Sequence, residues 1–534
     1  MKKRKNGNLK NKKQMLIIIA VISIMVFICV VMQAYIEGYF GDGKGKSTKA
    51  VNENSVQKKS DRTDAEAAKK PAKKKSTSKK KKSGKKKKKK ITHIAANPEG
   101  SRPIRVLITN SDFSDMFHNS IKITSSKSFY VKINNQTKTY PAGKKIEFKA
   151  ADKKLKGKKI VIGSYSGGRV KVLSIKRLEG HPGYRGTMTI KYKSKGLILT
   201  NTLPVEQYLY AVIPSEMSTW NNIEALKAQA VCARSYAYNQ MKADKYEEYG
   251  ADVDDSVACQ VYNNIPENEK SRKAVDSTFG DVMKKSGDVI TAYYFSTSWG
   301  YTADGQDVWN TPSQISYLSS RFQITQSSKR KTGVRGYDLS NESTFRNFMN
   351  NESCKTYDSN EEWYRWSVII KEKSLRNRID SALSSCYLSN NENVLTKTKN
   401  GKYKKSSVFK TGKITDIKIS KREKSGMASQ IIITGTLNTY KVNNQYNIRK
   451  VLAPVYETIK RRYGDSMNGY FMLPSAAFYI DKTSGAFNIT GGGFGHGTGM
   501  SQSGAGNMAK QGNDYRQILH HYFSGVKIVT LKDY

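Results

Sequence analysis

The segment from Leu203 to Tyr238, LPVEQYLYAVIPSEMSTWNNIEALKAQAVCARSYAY, places the acidic Glu216 just ahead of a run that carries Lys227 and Arg234. A carboxyl group with a raised pKa can protonate a leaving oxygen and later take a proton back, so one such residue can serve as both acid and base. Schemes that activate water need a second carboxylate. None stands out beside Glu216, and Asp304 and Asp307 in YTADGQDVW are the nearest candidates. Spacing alone favours a solvated turn glutamate.

A second dense stretch, GGGFGHGTGMSQSGAGNMA, runs from Gly491 to Ala509. Six glycines in the ten residues 491–500 bring backbone close to a ligand or to another strand. A nucleotide loop is excluded, because no Lys-Ser/Thr pair closes the run. His496, one of six histidines in the chain, lies between two of these glycines. It could donate to a ligand hydroxyl or to Glu216, or serve as a hydrogen-bonded structural residue. Gln502 is a more generic polar contact.

The elements that hold these residues can be read locally. Asn221 is suited to N-cap a helix, with Glu224 three residues on to complete a capping box. Leu226, Ala230, Ala233, Ala237 and Met241 recur at helical spacing and form a buried face. Lys227 and Arg234, two turns apart, share another face. Arg234 has an aromatic two residues on and alanines nearby, so it is expected to be held inward. Pro214 disfavours helix at Ile213, which places Glu216 on an irregular turn.

IPSEM at 213–217, ALKAQAVCARSYA at 225–237 and the glycine block together resemble the family of stage II sporulation protein D and the LytB-type amidase enhancers. Ile213 stands where the family motif has Val, and Ser503 where it usually has Tyr. The resemblance implies a peptidoglycan lytic transglycosylase. Such an enzyme cleaves the MurNAc-GlcNAc bond to leave 1,6-anhydro-MurNAc ends, and it needs one carboxyl group because the sugar's own 6-hydroxyl replaces water. Glu216 would be catalytic, while Lys227, Arg234, Tyr236, His496 and Gln502 would bind substrate. A non-catalytic enhancer of an N-acetylmuramoyl-L-alanine amidase is the alternative. Some relatives bind zinc through His and Cys in the middle region. Here Cys259 is kept, but Phe295 and Trp299 replace the His and first Gly of the second motif, so neither metal nor cofactor is expected.

The uncharged run 15–32 is long enough for a membrane span, extended to 36, and the seven Lys or Arg before it place residues 1–14 in the cytoplasm. The expectation is a single-pass protein of the cell membrane, with everything after residue 36 outside. A cleavable signal peptide is the competing reading, against which stand the length of the run and the lack of a small-x-small site after it. Residues 37–100 read as a disordered linker, with 15 lysines between 69 and 90. The first 100 residues hold 28 Lys or Arg against 7 acids, a net of +21. The other +28 of the formal +49 falls on residues 101–534. Outside a membrane this charge suits anionic wall polymers and lipid headgroups, and nucleic acid is not an expected partner. A wall amidase is a further partner that the resemblance implies. Cys354 and Cys386 could pair in an oxidising compartment.

Residues 101–534 are expected to form an extracytoplasmic α+β region, with β-rich parts before and after the helical catalytic segment and one glycan-binding groove. The runs IRVLITN, SFYVKINNQ, KIVIGSY, RVKVLSIKR and TMTIKYKSKGLILTN alternate as antiparallel strands do. SRKAVDSTFG reads as helix, VITAYYFSTS as strand and 340–390 as polar helix. Strand character returns at 414–434 and 446–451, and helix at 507–510 and 515–523.

Overall fold

The computed structural model describes residues 103–351, 353 and 355–531. The expected basic tail, membrane span and linker, and Cys354 of the suggested disulfide, lie outside the described residues. Among the described residues no helix is long and apolar enough to cross a membrane.

The chain is mixed α+β. Alternating apolar residues in Phe129–Ile133, Lys159–Ser164 and Thr187–Lys193 send one face of each strand inward, while Ile104–Ile108 and Gly196–Leu203, apolar in near-continuous runs, are buried on both faces. These strands form most of a seven-stranded sheet. It is antiparallel except where Ile104–Ile108 pairs with Val253–Asp254. A four-stranded sheet, which includes Ser120–Ser125 and Val170–Val172, closes over the same core.

Leu203 ends the last of these strands and Pro204 starts a helix at once, Val205–Glu216, here termed the leading helix. Pro214 lies inside it, so Glu216 ends a helix rather than sitting on an irregular turn. A proline in a helix leaves the carbonyl four residues back without its partner. Here the Tyr210 carbonyl accepts from Ser271 Oγ at 3.3 Å, and Ser215 Oγ donates to the Ala211 carbonyl at 2.7 Å. Side chains repair the last turn, and the helix continues to Glu216.

The central helix, Ile223–Gln240, is capped by Asn222, whose side chain accepts from Glu224 N at 3.0 Å. Asn221 is therefore not the cap. Glu224 forms no capping box, because its carboxylate binds Lys227 Nζ at 2.6 Å and Tyr515 N at 3.0 Å. Leu226, Ala230, Ala233, Ala237 and Met241 are buried as their spacing predicts. Burial extends round most of the helix, which packs against the leading helix, the Glu269–Ser277 helix, the Asp281–Lys285 strand and two C-terminal helices, Gln502–Lys510 and Tyr515–Tyr522. The alanines allow that close approach.

A second core, centred on Trp363, Trp366, Leu383, Ile431 and Phe487, belongs to residues 363–489. It lies among two five-stranded sheets and the Glu372–Ser389 helix. Within 340–390 the strand Trp366–Lys371 interrupts the expected helical stretch. Residues 446–451 are helix rather than strand. Asn444 caps Gln445–Val451 by accepting from Tyr446 N, and Ile448, Val451 and Leu452 bury at helical spacing. VITAYYFSTS supplies only Tyr294–Phe295 as strand after Val289, because its partner is the irregular glycine block.

Candidate active site

The two motif blocks meet. Gln502 Nε2 donates to the main-chain carbonyl of Glu216 at 2.9 Å, across 286 residues of sequence. The glycine block lies along 293–299: Phe494 and Thr297 exchange backbone hydrogen bonds, and Met500–Ser501 pairs in parallel with Tyr294–Phe295. Gly499, at φ +82°, shows why glycine is needed, since a Cβ there would sit 2.0 Å from the Tyr293 carbonyl. The close approach expected of the block is thus made to another strand. Trp299, at the departure from the family motif, fills the space beneath it and donates from Nε1 to Ser425 O at 2.8 Å.

Between these segments opens a cavity of about 400 Å³. Glu216 lies in its wall, partly open to it. The carboxylate accepts from Val261 N at 2.5 Å and is also hydrogen-bonded by the Tyr294 hydroxyl. Burial among apolar groups dominates over both bonds and pushes the Glu216 carboxyl up to about 7. Its place at a helix C-terminus, the negative end of the macrodipole, acts in the same direction. Gln260 Nε2 steadies the Tyr294 hydroxyl at 3.1 Å.

Of the residues expected to bind substrate, Tyr236, His496 and Gln502 line this cavity. Both ring nitrogens of His496 are occupied: Nε2 donates to Tyr294 O at 3.0 Å, and Nδ1 accepts from Thr498 N at 3.1 Å. Burial pushes its pKa down to about 4, so the ring is neutral and fixes the loop. It has no free nitrogen for a sugar hydroxyl or for Glu216. Gln502 spends its amide on the backbone of Glu216, which makes it a positioning residue.

Lys227 and Arg234 are not in the cavity wall. Arg234 is fully buried, with Nε and Nη2 each 2.7 Å from the Glu206 carboxylate and Nη1 3.1 Å from Asp281 O. It joins the central helix to the first turn of the leading helix. Lys227 pairs with Glu224 and lies over the Tyr515 ring, 5.9 Å from its centroid. Helical spacing put the two residues on one side, but neighbouring elements cover that side. Asp304 and Asp307 are also outside the cavity. Asp304 accepts from Ser320 N at 3.0 Å, and burial pushes Asp307 up to about 6.

The cavity contains residues that the sequence motifs did not point to. Glu361 is the other carboxylate among the described lining residues, and its Oε1 accepts from Asn507 Nδ2 at 2.6 Å. Nothing in SNEEWYRW marks it, because its cavity neighbours come from distant segments. Trp309 packs at a tilt against Tyr293 (4.7 Å between centroids) and His496 (5.2 Å), so this wall is aromatic. Trp220, between the lining residues Ser218 and Asn221, is 95% exposed. Cys259 also lines the cavity, with Sγ 3.9 Å from the Tyr246 hydroxyl, and burial pushes its thiol up to about 11. Among the described residues no group of three or more His, Cys, Asp or Glu is arranged to hold a metal ion.

A half-buried acid with a raised pKa, held in an aromatic, polar-edged cavity where two distant motifs meet, defines a site suited to proton transfer. Residues 193–284, which hold the leading and central helices, match the family model described as Stage II sporulation protein. Residues 387–499 match a model described as a domain of unknown function. The chain is 28% identical to the Amidase enhancer of Bacillus subtilis (strain 168) over 330 residues, 60% of this chain and 40% of that protein. It is 26% identical to Stage II sporulation protein D of the same organism, over 65% of this chain and 82% of that protein. An uncharacterized protein of Brachyspira hyodysenteriae is 29% identical over 66% of this chain. Residues 193–284 thus carry the domain of the stage II sporulation protein family, and beyond it the chain is similar to stage II sporulation protein D and the Amidase enhancer.

Proposed function

We propose that the protein is a peptidoglycan lytic transglycosylase with Glu216 as both acid and base. The supporting observation is the Glu216 carboxyl itself. With a pKa of about 7 it is substantially protonated near neutral pH, and it opens into a cavity with an aromatic wall. Protonated Glu216 gives its proton to the oxygen between MurNAc and GlcNAc as the C1–O bond breaks. The MurNAc 6-hydroxyl bonds to C1, and its proton passes to the Glu216 carboxylate, which restores the acid. Atoms balance without water, and the product ends in 1,6-anhydro-MurNAc. The faces of Trp309 and Tyr293, and the exposed Trp220 at the rim, suit the apolar faces of sugar rings.

Glu361 requires a test of its own, since a second carboxylate in the same cavity could activate water. Incubation of purified protein with isolated sacculi, followed by mass spectrometry of the released fragments, decides the matter. Anhydro ends are expected with wild type and with Glu361→Gln. Reducing ends that vanish in Glu361→Gln would make the protein a hydrolase.

A second reading is a non-catalytic enhancer of a wall amidase, which the name of the Bacillus subtilis relative favours. Absence of released glycan on both intact and amidase-treated sacculi, together with faster turnover by an added amidase, would establish it. In either reading we propose a membrane-tethered protein facing the wall, with the lysine-rich segment attracting anionic polymer. Deleting 69–90 is expected to weaken wall binding, most at low salt, and to leave turnover of short soluble glycans unchanged.

A further inference from the structure

The amino-terminal sheets carry a second concavity, apart from the Glu216 cavity and sharing no lining residue with it. Its volume is about 690 Å³, within the range of small-ligand sites. Three turns meet there: the one after Ser125, the one at Gly143, and the 177–183 loop that carries His181. Arg169 and Lys171 flank it, and Asn264 closes it from the segment that follows the cavity residue Val261. The family motifs and the proposed reaction leave this region without a role.

Two features of its wall are unusual. Fifteen buried side-chain nitrogen or oxygen atoms among the described residues lack a hydrogen-bond partner, and three of them belong to this one lining: Asn264 Nδ2, Arg177 Nε and Thr124 Oγ1. Buried polar groups are normally paired, so such a concentration calls for a missing partner. Asn264 is 1% exposed and its Oδ1 is already used by Leu178 N at 3.1 Å, which leaves the amide N–H groups unmatched. Two of the three unpaired atoms are donors, so the missing partner is an acceptor.

Charge gives the same answer. Arg169 and Arg185 both bind a single oxygen of Glu267, Oε1, while Oε2 has no partner. Arg272 is close enough to repel both guanidiniums. Arg185, Arg272 and Glu267 lie beside the lining rather than in it: there three guanidiniums, Arg169 included, share one carboxylate, an excess of +2, while Lys171 and Glu179 of the lining offset each other. Arg177 adds nothing to that excess, because Asp255 neutralises it at 2.6 Å.

From these observations we propose that the cleft is a second ligand site, which binds an oxyanion carried on a polar polymer, either a phosphodiester or a carboxylate. The inference is independent of the Glu216 chemistry. It would hold the protein on anionic wall material through a folded pocket, in addition to the diffuse attraction of the lysine run.

Calorimetric titration of the full chain with inorganic phosphate, and separately with glucuronate, tests the proposal. Glucose serves as the uncharged control. The lysine-rich segment gives the same background in every variant. One saturable event per chain is expected with an oxyanion and none with glucose. The preferred oxyanion tells whether a phosphate or a carboxylate polymer is the source. Lys171→Glu, at an exposed strand position, should weaken this event by about tenfold or more. Ser126→Asp, on the opposite turn, should do the same by adding negative charge without removing a contact. Glu216→Gln should leave it unchanged. Equal saturable binding in wild type and both variants would overturn the proposal, as would the lack of any saturable event.

Discussion

The leading helix carries two carboxylates ten residues apart, and its two ends treat them differently. Glu206, in the first turn, is 1% exposed and meets the Arg234 guanidinium through two parallel bonds of 2.7 Å. Glu216, at the last turn, meets a peptide N–H and a phenol, and one side opens to a cavity. The same side chain is therefore an ionic brace at one end and, in the proposed reaction, a proton donor at the other. Chemical type is shared, and the partner decides the role. A guanidinium compensates a buried negative charge, whereas two neutral donors offset only part of the cost of desolvating it.

The sharpest test of this contrast is Glu216→Gln. The amide keeps size and hydrogen-bonding reach but carries no proton to give, so glycan release should fall about 10²–10⁴-fold or more while glycan binding persists. The folded pKa of Glu216 lies above its ordinary value of 4.5, so wild type loses stability as pH rises from there through about 7. Glu216→Gln lacks this loss, and its melting temperature should gain on wild type across that window. Retention of more than about a tenth of the activity would move the acid elsewhere, with Glu361 first in line.

At the other end the expected effect is on stability. Arg234→Met leaves Glu206 buried without its counterion and should cost about 3–5 kcal/mol in denaturant unfolding. Adding Glu206→Gln should restore much of that loss. A double variant no more stable than Arg234→Met would show that the pair is not the brace described here.

Smaller shifts follow from the Tyr294 hydroxyl, whose hydrogen bond lowers the Glu216 pKa. Tyr294→Phe removes that bond, so the carboxyl should hold its proton to higher pH. The alkaline limb of the pH–activity profile, near 7 in wild type, should move upward. A downward move would contradict the assignment. Lys227→Ala should have the least effect, because Lys227 and Glu224 are both partly solvated: about 0–1 kcal/mol of stability and little change in KM. A large rise in KM would return Lys227 to the substrate.

Much of the fold was legible wherever one element's pattern is enough. The alternation in Lys159–Ser164 and Thr187–Lys193 gave strands, and the Leu226–Met241 spacing gave the buried face of the central helix. Reading failed where a distant group settles the local question. Pro214 reads as a helix breaker until Ser271, 57 residues away, supplies the bond that proline removes. Asn221 reads as the cap, but Asn222 takes that place by accepting from Glu224 N, and the Glu224 carboxylate that would complete the expected capping box accepts from Tyr515 N instead.

The sequence alone determined which residues could do chemistry: Glu216 beside its proline, a histidine among glycines, and the family that the pattern resembles. It also set the strongly basic charge of the chain, a formal +49. Only the tertiary structure decided which candidates face the cavity. Arg234 and Lys227 lost that place because helical spacing defines a side of a helix but not what covers it. Tyr294, Trp309 and Glu361 gained it because the cavity forms where segments far apart in sequence converge. The raised pKa of Glu216 likewise arises from that convergence, since desolvation depends on every atom packed around a carboxyl group and not on its neighbours in sequence.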